Sequence, residues 1–104
     1  MDLDGLGRFG DPAALILSSL AGGDKHGYAL VSDIQEFAGV RLGPGTLYGA
    51  LSRLEQRGLV EALAAQERRH PYRLTGRGAA ALRDYLTHAR SVAEVGLLRL
   101  AQGA

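Results

Sequence analysis

Apolar residues keep a helical period over the first half of the chain, lose it briefly, and regain it towards the end. Leu15, Ile16, Leu17 and Leu20 cluster behind Asp11-Pro12. Asp is a favourable N-cap, and Pro in the first helical position surrenders an N–H that has no partner there anyway, so the pair predicts a helix start. Gly22-Gly23 ends this helix. Asp24 is the expected cap of a second helix, in which Tyr28, Val31, Ile34 and Ala38 recur along one face, Leu30 and Phe37 widen it, and Gly39 closes it. Gly43-Pro44 predicts a third helix carrying Leu47, Ala50, Leu51 and Leu54 on one side and stopping at Gly58.

The spacing then changes. Leu59 to Leu63 predicts a short strand, Pro71 to Leu74 its antiparallel partner, and Ala65 to His70 a polar, basic loop between them. Pro71 cannot donate to a ladder, so it belongs at a strand start or on an outer edge. Thr75 is placed to cap a final helix reaching towards Gln102, about 40 Å long at 1.5 Å per residue. Residues 1–10 are rich in Gly and Asp, without period, and are expected to form a flexible arm. Gly5-Leu6-Gly7-Arg8-Phe9-Gly10 has the spacing of a dinucleotide fingerprint, but the four preceding residues cannot supply the strand it requires. The expected organisation is an arm over 1–10, a DNA-binding unit over 11–74 and a dimerisation helix over 75–104. The expected fold is mainly α with a small β hairpin (α+β): a winged helix-turn-helix with a long C-terminal dimerisation helix.

Composition narrows the function classes. The chain has 46% apolar and 22% charged residues, ordinary for a globular domain. No apolar run is long enough to span a bilayer, and Asp2 and Asp4 stand where a secretory signal carries positive charge. The absence of cysteine excludes disulfides and Cys-based zinc sites. These features together predict a cytoplasmic protein with no membrane partner and no cofactor. The net charge of +1 conceals a segregation: from Arg41 to Arg77, seven arginines face three glutamates, a local charge of +4, and the remainder carries −3. A local basic face of this kind can attract phosphates although the whole chain is nearly neutral.

With its leucines inward, the third helix turns Thr46, Gly49, Ser52, Arg53 and Gln56 outward, with Tyr48 at the flank. Hydroxyl, guanidinium and amide groups are the types that bind base edges and phosphates. Gly43, Gly45 and Gly49 strip its first turns of side chains, and a helical Gly costs about 1 kcal/mol relative to Ala. Close approach to a phosphate is one reason for that cost. Arg68 and Arg69 sit together at the expected wing tip. Two roles are open to Arg73, a DNA contact or a cross-strand pair with Glu61. His26, where the second helix begins, suits capping or phosphate contact.

His26-Gly27-Tyr28-Ala29-Leu30, Gly43-Pro44-Gly45-Thr46-Leu47-Tyr48, Leu51 to Val60 and Tyr72-Arg73-Leu74-Thr75 together resemble the PadR family of transcriptional regulators, over roughly Pro12 to Leu86. The resemblance implies a winged-helix homodimer that represses promoters and is often relieved by a small molecule. The partners implied are double-stranded DNA, as an inverted-repeat operator, a second copy of the chain, and a small-molecule effector. Expected DNA-binding residues are His26, Tyr28, Gly45, Thr46, Tyr48, Ser52, Arg53, Arg68, Arg69 and Arg73. Two positions depart from the family pattern: Gly43 where Ser is common, which weakens an N-cap, and Gly49 where Pro is common. The single C-terminal helix is like that of the smaller PadR proteins.

The last helix carries an independent signal. Leu82, Leu86, Ala89, Ala93 and Leu100 follow an a/d-type seam, and Leu97 and Leu98, with Val92 and Val95, lie off it. Its last turns are therefore apolar nearly all round, which calls for burial. Leu82, Leu86, Ala89, Ala93, Leu97, Leu98 and Leu100 are the expected dimer interface. An effector held between aromatic rings there would find no Trp, and only Tyr85 and Phe9 nearby. His26, His70 and His88 lie on different elements, Ser18-Ser19 has no evident base, and no catalytic or metal motif occurs, so an enzyme is not expected. The other reading is a winged-helix module that docks onto another protein.

Overall fold

The computed structural model describes residues 11–103. Four helices and a hairpin follow one another: α1 (Pro12–Leu20), α2 (Gly27–Ala38), α3 (Pro44–Gln56), β1 (Val60–Ala62), β2 (Tyr72–Leu74) and α4 (Gly76–Gly103). The expected arm over 1–10, with Phe9, lies outside the described residues. The winged-helix order read from the sequence is the one found.

Local chemistry explains most of the boundaries. The Asp11 carboxylate accepts from the Ala13 N–H at 3.0 Å, and Pro12 follows it. Gly39 ends α2 with φ of 70°, a left-handed cap. The Thr75 hydroxyl accepts from the Gly78 N–H at 2.9 Å and donates to the Gly58 carbonyl at 2.7 Å, so one side chain starts α4 and ties it to the end of α3. Gly43 caps α3 without a side-chain hydrogen bond, as its lack of a hydroxyl dictates.

The second helix corrects the sequence reading. Its cap is His26, not Asp24. Lys25 pairs with Tyr72 through two backbone hydrogen bonds, 2.9 and 3.2 Å, and this extended pairing delays the helix by two residues. The buried face also centres elsewhere. Leu30 and Ile34 are wholly buried, Val31 and Ala38 partly, while Tyr28 is 78% exposed and Phe37 about half.

One core lies between the helices and the hairpin. Ile16, Leu17 and Leu20 of α1 meet Leu30 and Ile34 of α2 and the Leu47, Ala50, Leu51, Leu54 stripe of α3, with Leu59 and Val60 closing the side. Ser19 is the one buried polar residue among those described, and its hydroxyl donates to Asp33 of α2. Lys25 donates to the Ser19 carbonyl, so the α1–α2 corner is held by a polar clamp. The strands pair Val60 with Leu74, Glu61 with Arg73 and Ala62 with Tyr72, and β2 lies between β1 and Lys25. Both are shorter than the sequence predicts, because Leu59 is still bonded to Leu54 and Pro71 only accepts, from Leu63.

Only the first turns of α4 enter this core. A Cβ on Gly78 would collide with the Leu59 carbonyl oxygen and come within 2.9 Å of Leu74 Cδ1, so the helix crosses the α3–β1 junction on bare backbone. Leu82, expected on the dimer seam, is instead a core residue of its own protomer, 5% exposed. The core reaches one turn further along α4 than the seam implied. Beyond Tyr85 every described residue of α4 is exposed, including Leu86, Val92, Val95, Leu97, Leu98 and Leu100. No described helix is long and apolar enough to cross a membrane.

Candidate nucleic-acid interface

Burying Leu47, Ala50, Leu51 and Leu54 leaves α3 one outward face, which presents Gly45, Thr46, Ser52, Arg53 and Gln56 to solvent. Its glycines are of a different kind from Gly78. A Cβ built on Gly43 or Gly45 meets nothing within 4 Å, and on Gly49 only the flexible Arg53 Nη1 at 3.6 Å. Nothing among the described residues requires these positions to be bare.

Gly27 has an internal reason. A Cβ there would collide with the Tyr48 hydroxyl oxygen, so the start of α2 accepts the Tyr48 ring only because Gly27 has no side chain. The two segments carrying the family resemblance therefore meet in space. Tyr28, Val31, Arg41, Leu42 and Tyr48 line a cleft of about 610 Å³ beside this contact. Arg41 is exposed there; sequence reading counted its charge but did not place it at the site. Gly27 was missed as well, since only a three-dimensional contact shows that its missing side chain matters.

The wing turns at Glu67 and Arg68, both with positive φ, 51° and 70°. Gln66 and Arg69 exchange backbone hydrogen bonds of 2.8 and 2.9 Å across them. Two successive positive φ values mark the tight type I′ hairpin turn, which Asn-Gly fills with least strain. Glu-Arg fills it here at a steric cost of about 1–2 kcal/mol per residue. That strain sets Arg68 at the tip. Arg69, one residue on, reaches back over 43 positions to His26, its Nη1 3.2 Å from His26 Nε2. The wing, the start of α2 and Tyr48 of α3 thus join in one surface through Arg69, His26 and Gly27.

Arg73 is placed differently. Its guanidinium lies 3.1 Å from Glu61 and 3.7 Å from Asp24, two carboxylates that compete with any phosphate. The cross-strand pairing left open in the sequence is the contact the fold makes. Tyr72, behind the hairpin, has its phenol pushed above its ordinary 10.0 by burial first, then by the nearby Glu55 carboxylate and Tyr48. It stays a neutral phenol at ordinary pH. Among the described residues no group of three His, Asp or Glu side chains is placed to hold a metal ion.

Three comparisons bear on this geometry. The family model for PadR-like transcriptional regulators matches residues 16–84. The chain is 48% identical over 71 residues to an uncharacterized 37.1 kDa protein in transposon TN4556 of Streptomyces fradiae, across 68% of this chain and 21% of that protein. It thus spans about a fifth of the curated relative it matches. Among solved structures, a PadR family transcription regulator from Clostridium difficile R20291 superposes with a TM-score of 0.77 at 29% identity, covering 86% of this chain and 97% of that one. A transcriptional regulator from Clostridium thermocellum gives 0.74 at 29% identity, covering 83% and 86%.

Proposed function

The chain belongs to the PadR-like family of transcriptional regulators, a family of DNA-binding regulators, and from that premise we propose that it represses transcription by binding an inverted-repeat operator as a homodimer. In this reading α3 enters the major groove, Arg53 pairs with a guanine edge, and Thr46, Tyr48 and Ser52 fix the helix on base edges and phosphates. Arg68 and Arg69 hold the wing on the backbone. The half-sites lie about one helical turn apart, roughly 34–36 Å.

One observation carries the reading: α3 bears glycines that packing among the described residues does not require, and the wing reaches through Arg69 to the start of α2, against which Tyr48 of the same α3 is seated. Bare backbone next to guanidinium and hydroxyl groups suits a ligand that comes close and carries negative charge. The dimer rests on the exposed apolar turns of α4, which burial against a second copy would stabilise by about 1.5–3 kcal/mol per fully covered large side chain. Relief by a small effector is supported by a hollow of about 390 Å³ at the root of α4, lined by Leu74, Leu82 and Leu86 with Arg83 and Arg90. A ligand there would act on the helix that sets the spacing of the two reading heads.

Selection of bound fragments from a genomic library, followed by binding to the selected duplex and to a scrambled one of equal length, tests the proposal. The expected result is an inverted repeat bound far more tightly than its scrambled form, with Arg53→Ala losing preference at one base position by about 1–3 kcal/mol. Equal, weak binding to both duplexes would favour a protein-docking module instead.

A further inference from the structure

His26 stands between two hydrogen-bond donors. Its Nδ1 faces the Ala29 backbone N–H at 3.4 Å, and its Nε2 faces Arg69 Nη1 at 3.2 Å. A neutral imidazole has one acceptor nitrogen and one N–H, and a protonated ring has no acceptor at all. Either neutral tautomer therefore satisfies one neighbour and turns an N–H against the other. Arg69 cannot yield, because a guanidinium has donors only and keeps its charge. Arg73 nearby is neutralised by Asp24 and Glu61, but no ion pair to Arg69 is found among the described residues. The Arg69–His26 pair is one acceptor short, on an exposed surface continuous with Tyr48 of α3.

An anion supplies the missing acceptor. With one seated against the pair, His26 adopts the Nε2–H tautomer, keeps Nδ1 for the Ala29 N–H, and donates through Nε2 to the same anion that takes the Arg69 guanidinium. We infer that Arg69 and His26 form a two-donor clamp for one phosphodiester of the DNA backbone, and that in the free protein the other tautomer, with Nε2 accepting from Arg69, holds the wing in place to receive it. The inference rests on the DNA-binding reading above and adds the phosphate, its two donors and the tautomer. It also gives Arg69 a role distinct from that of Arg68, for which no hydrogen bond or ion pair to α2 is found among the described residues.

The test uses the full chain and a selected operator in which single phosphates are replaced by neutral methylphosphonates. At one phosphate per half-site the replacement should weaken wild-type binding about tenfold or more, as expected for loss of a charge-assisted pair of hydrogen bonds. On that duplex, and on no other, Arg69→Ala and His26→Ala should cost nothing further. His26→Ala also removes the α2 cap, so His26→Asn is the companion variant. Its amide can accept from Ala29 and donate to the phosphate, and it should bind within about threefold of wild type. Nitrogen NMR of His26 should show the Nε2–H tautomer in the complex. Titration with inorganic phosphate separates the sources: a His26 shift with duplex alone assigns a DNA phosphodiester, and the same shift with both assigns the phosphate group itself. Either sustains the clamp. If Arg69→Ala and His26→Ala weaken every modified duplex equally, the clamp is overturned, while base preference lost in Arg53→Ala would leave the DNA-binding reading standing. A wild-type protein that binds no duplex would instead overturn that reading.

Discussion

Replacing Gly49 by Ala should stabilise the protein and weaken it as a DNA binder at the same time. The position is inside α3, where Ala is favoured over Gly by about 1 kcal/mol. Among the described residues the added methyl meets only Arg53 Nη1 at 3.6 Å, an ordinary contact with the end of a flexible side chain, so their packing takes nothing back. For a domain of this size, 1 kcal/mol raises Tm by about 4–8 °C. The methyl also stands on the face of Thr46 and Arg53. If α3 approaches DNA as closely as its glycines permit, the intruding group should cost about 1–3 kcal/mol, as over-filling of a close-packed contact does. That is roughly a 5- to 150-fold rise in Kd. Thermal unfolding and fluorescence anisotropy on the selected operator, run on the same preparation, measure both effects. A variant that gains stability and binds DNA like wild type would refute the reasoning, because the bare position would then have no ligand to explain it.

Three further outcomes follow from other parts of the fold. Gly78→Ala should have the opposite sign to Gly49→Ala and lower stability by about 1–3 kcal/mol in thermal or urea melts, since its Cβ meets the fixed Leu59 backbone; a neutral or stabilising result would mean that α4 does not cross there on bare backbone. Leu86→Asp with Leu98→Asp should dissociate the proposed dimer by placing charges on the exposed apolar face of α4, and sedimentation that finds wild type already monomeric and folded at tens of micromolar would refute the dimer. The Tyr72 phenol has a raised pKa in the folded state, so its contribution to stability is complete below pH 10 and is lost as pH climbs through the folded value. Melts at rising pH above 10 should show wild type losing stability faster than Tyr72→Phe, and equal slopes would remove Tyr72 as the cause.

The parts of this fold legible in the sequence are those decided by neighbours a few residues apart. Leu47, Ala50, Leu51 and Leu54 can form only one stripe, and the Asp11 and Thr75 caps act within three residues. The readings that failed depend on distant partners. Asp24 and His26 are both able to cap a helix, and the choice between them is made by Tyr72, which draws Lys25 into a backbone pair from 47 positions away. Tyr28 and Leu30 both fit a helical period, and the position of α1 and α3 decides which of them is covered.

The candidate site divides along the same line. The exposed groups of α3 follow from the phase of its leucines, because whatever lies opposite a buried stripe faces out. The contact between Arg69 and His26, and the dependence of Tyr48 on a bare Gly27, exist only once the wing has folded back on α2. α4 shows why periodicity alone cannot assign a partner. Leu82 and Leu86 are one turn apart on the same apolar seam, yet the first is closed in by its own protomer and the second is not. A seam records that an apolar face must be covered, and the length of the core decides where one chain's own cover ends. With the core reaching only to Tyr85, the uncovered turns of α4 are where a second copy has most to stabilise, and charge at Leu86 should be felt in association while a cavity at Leu82 should be felt in folding.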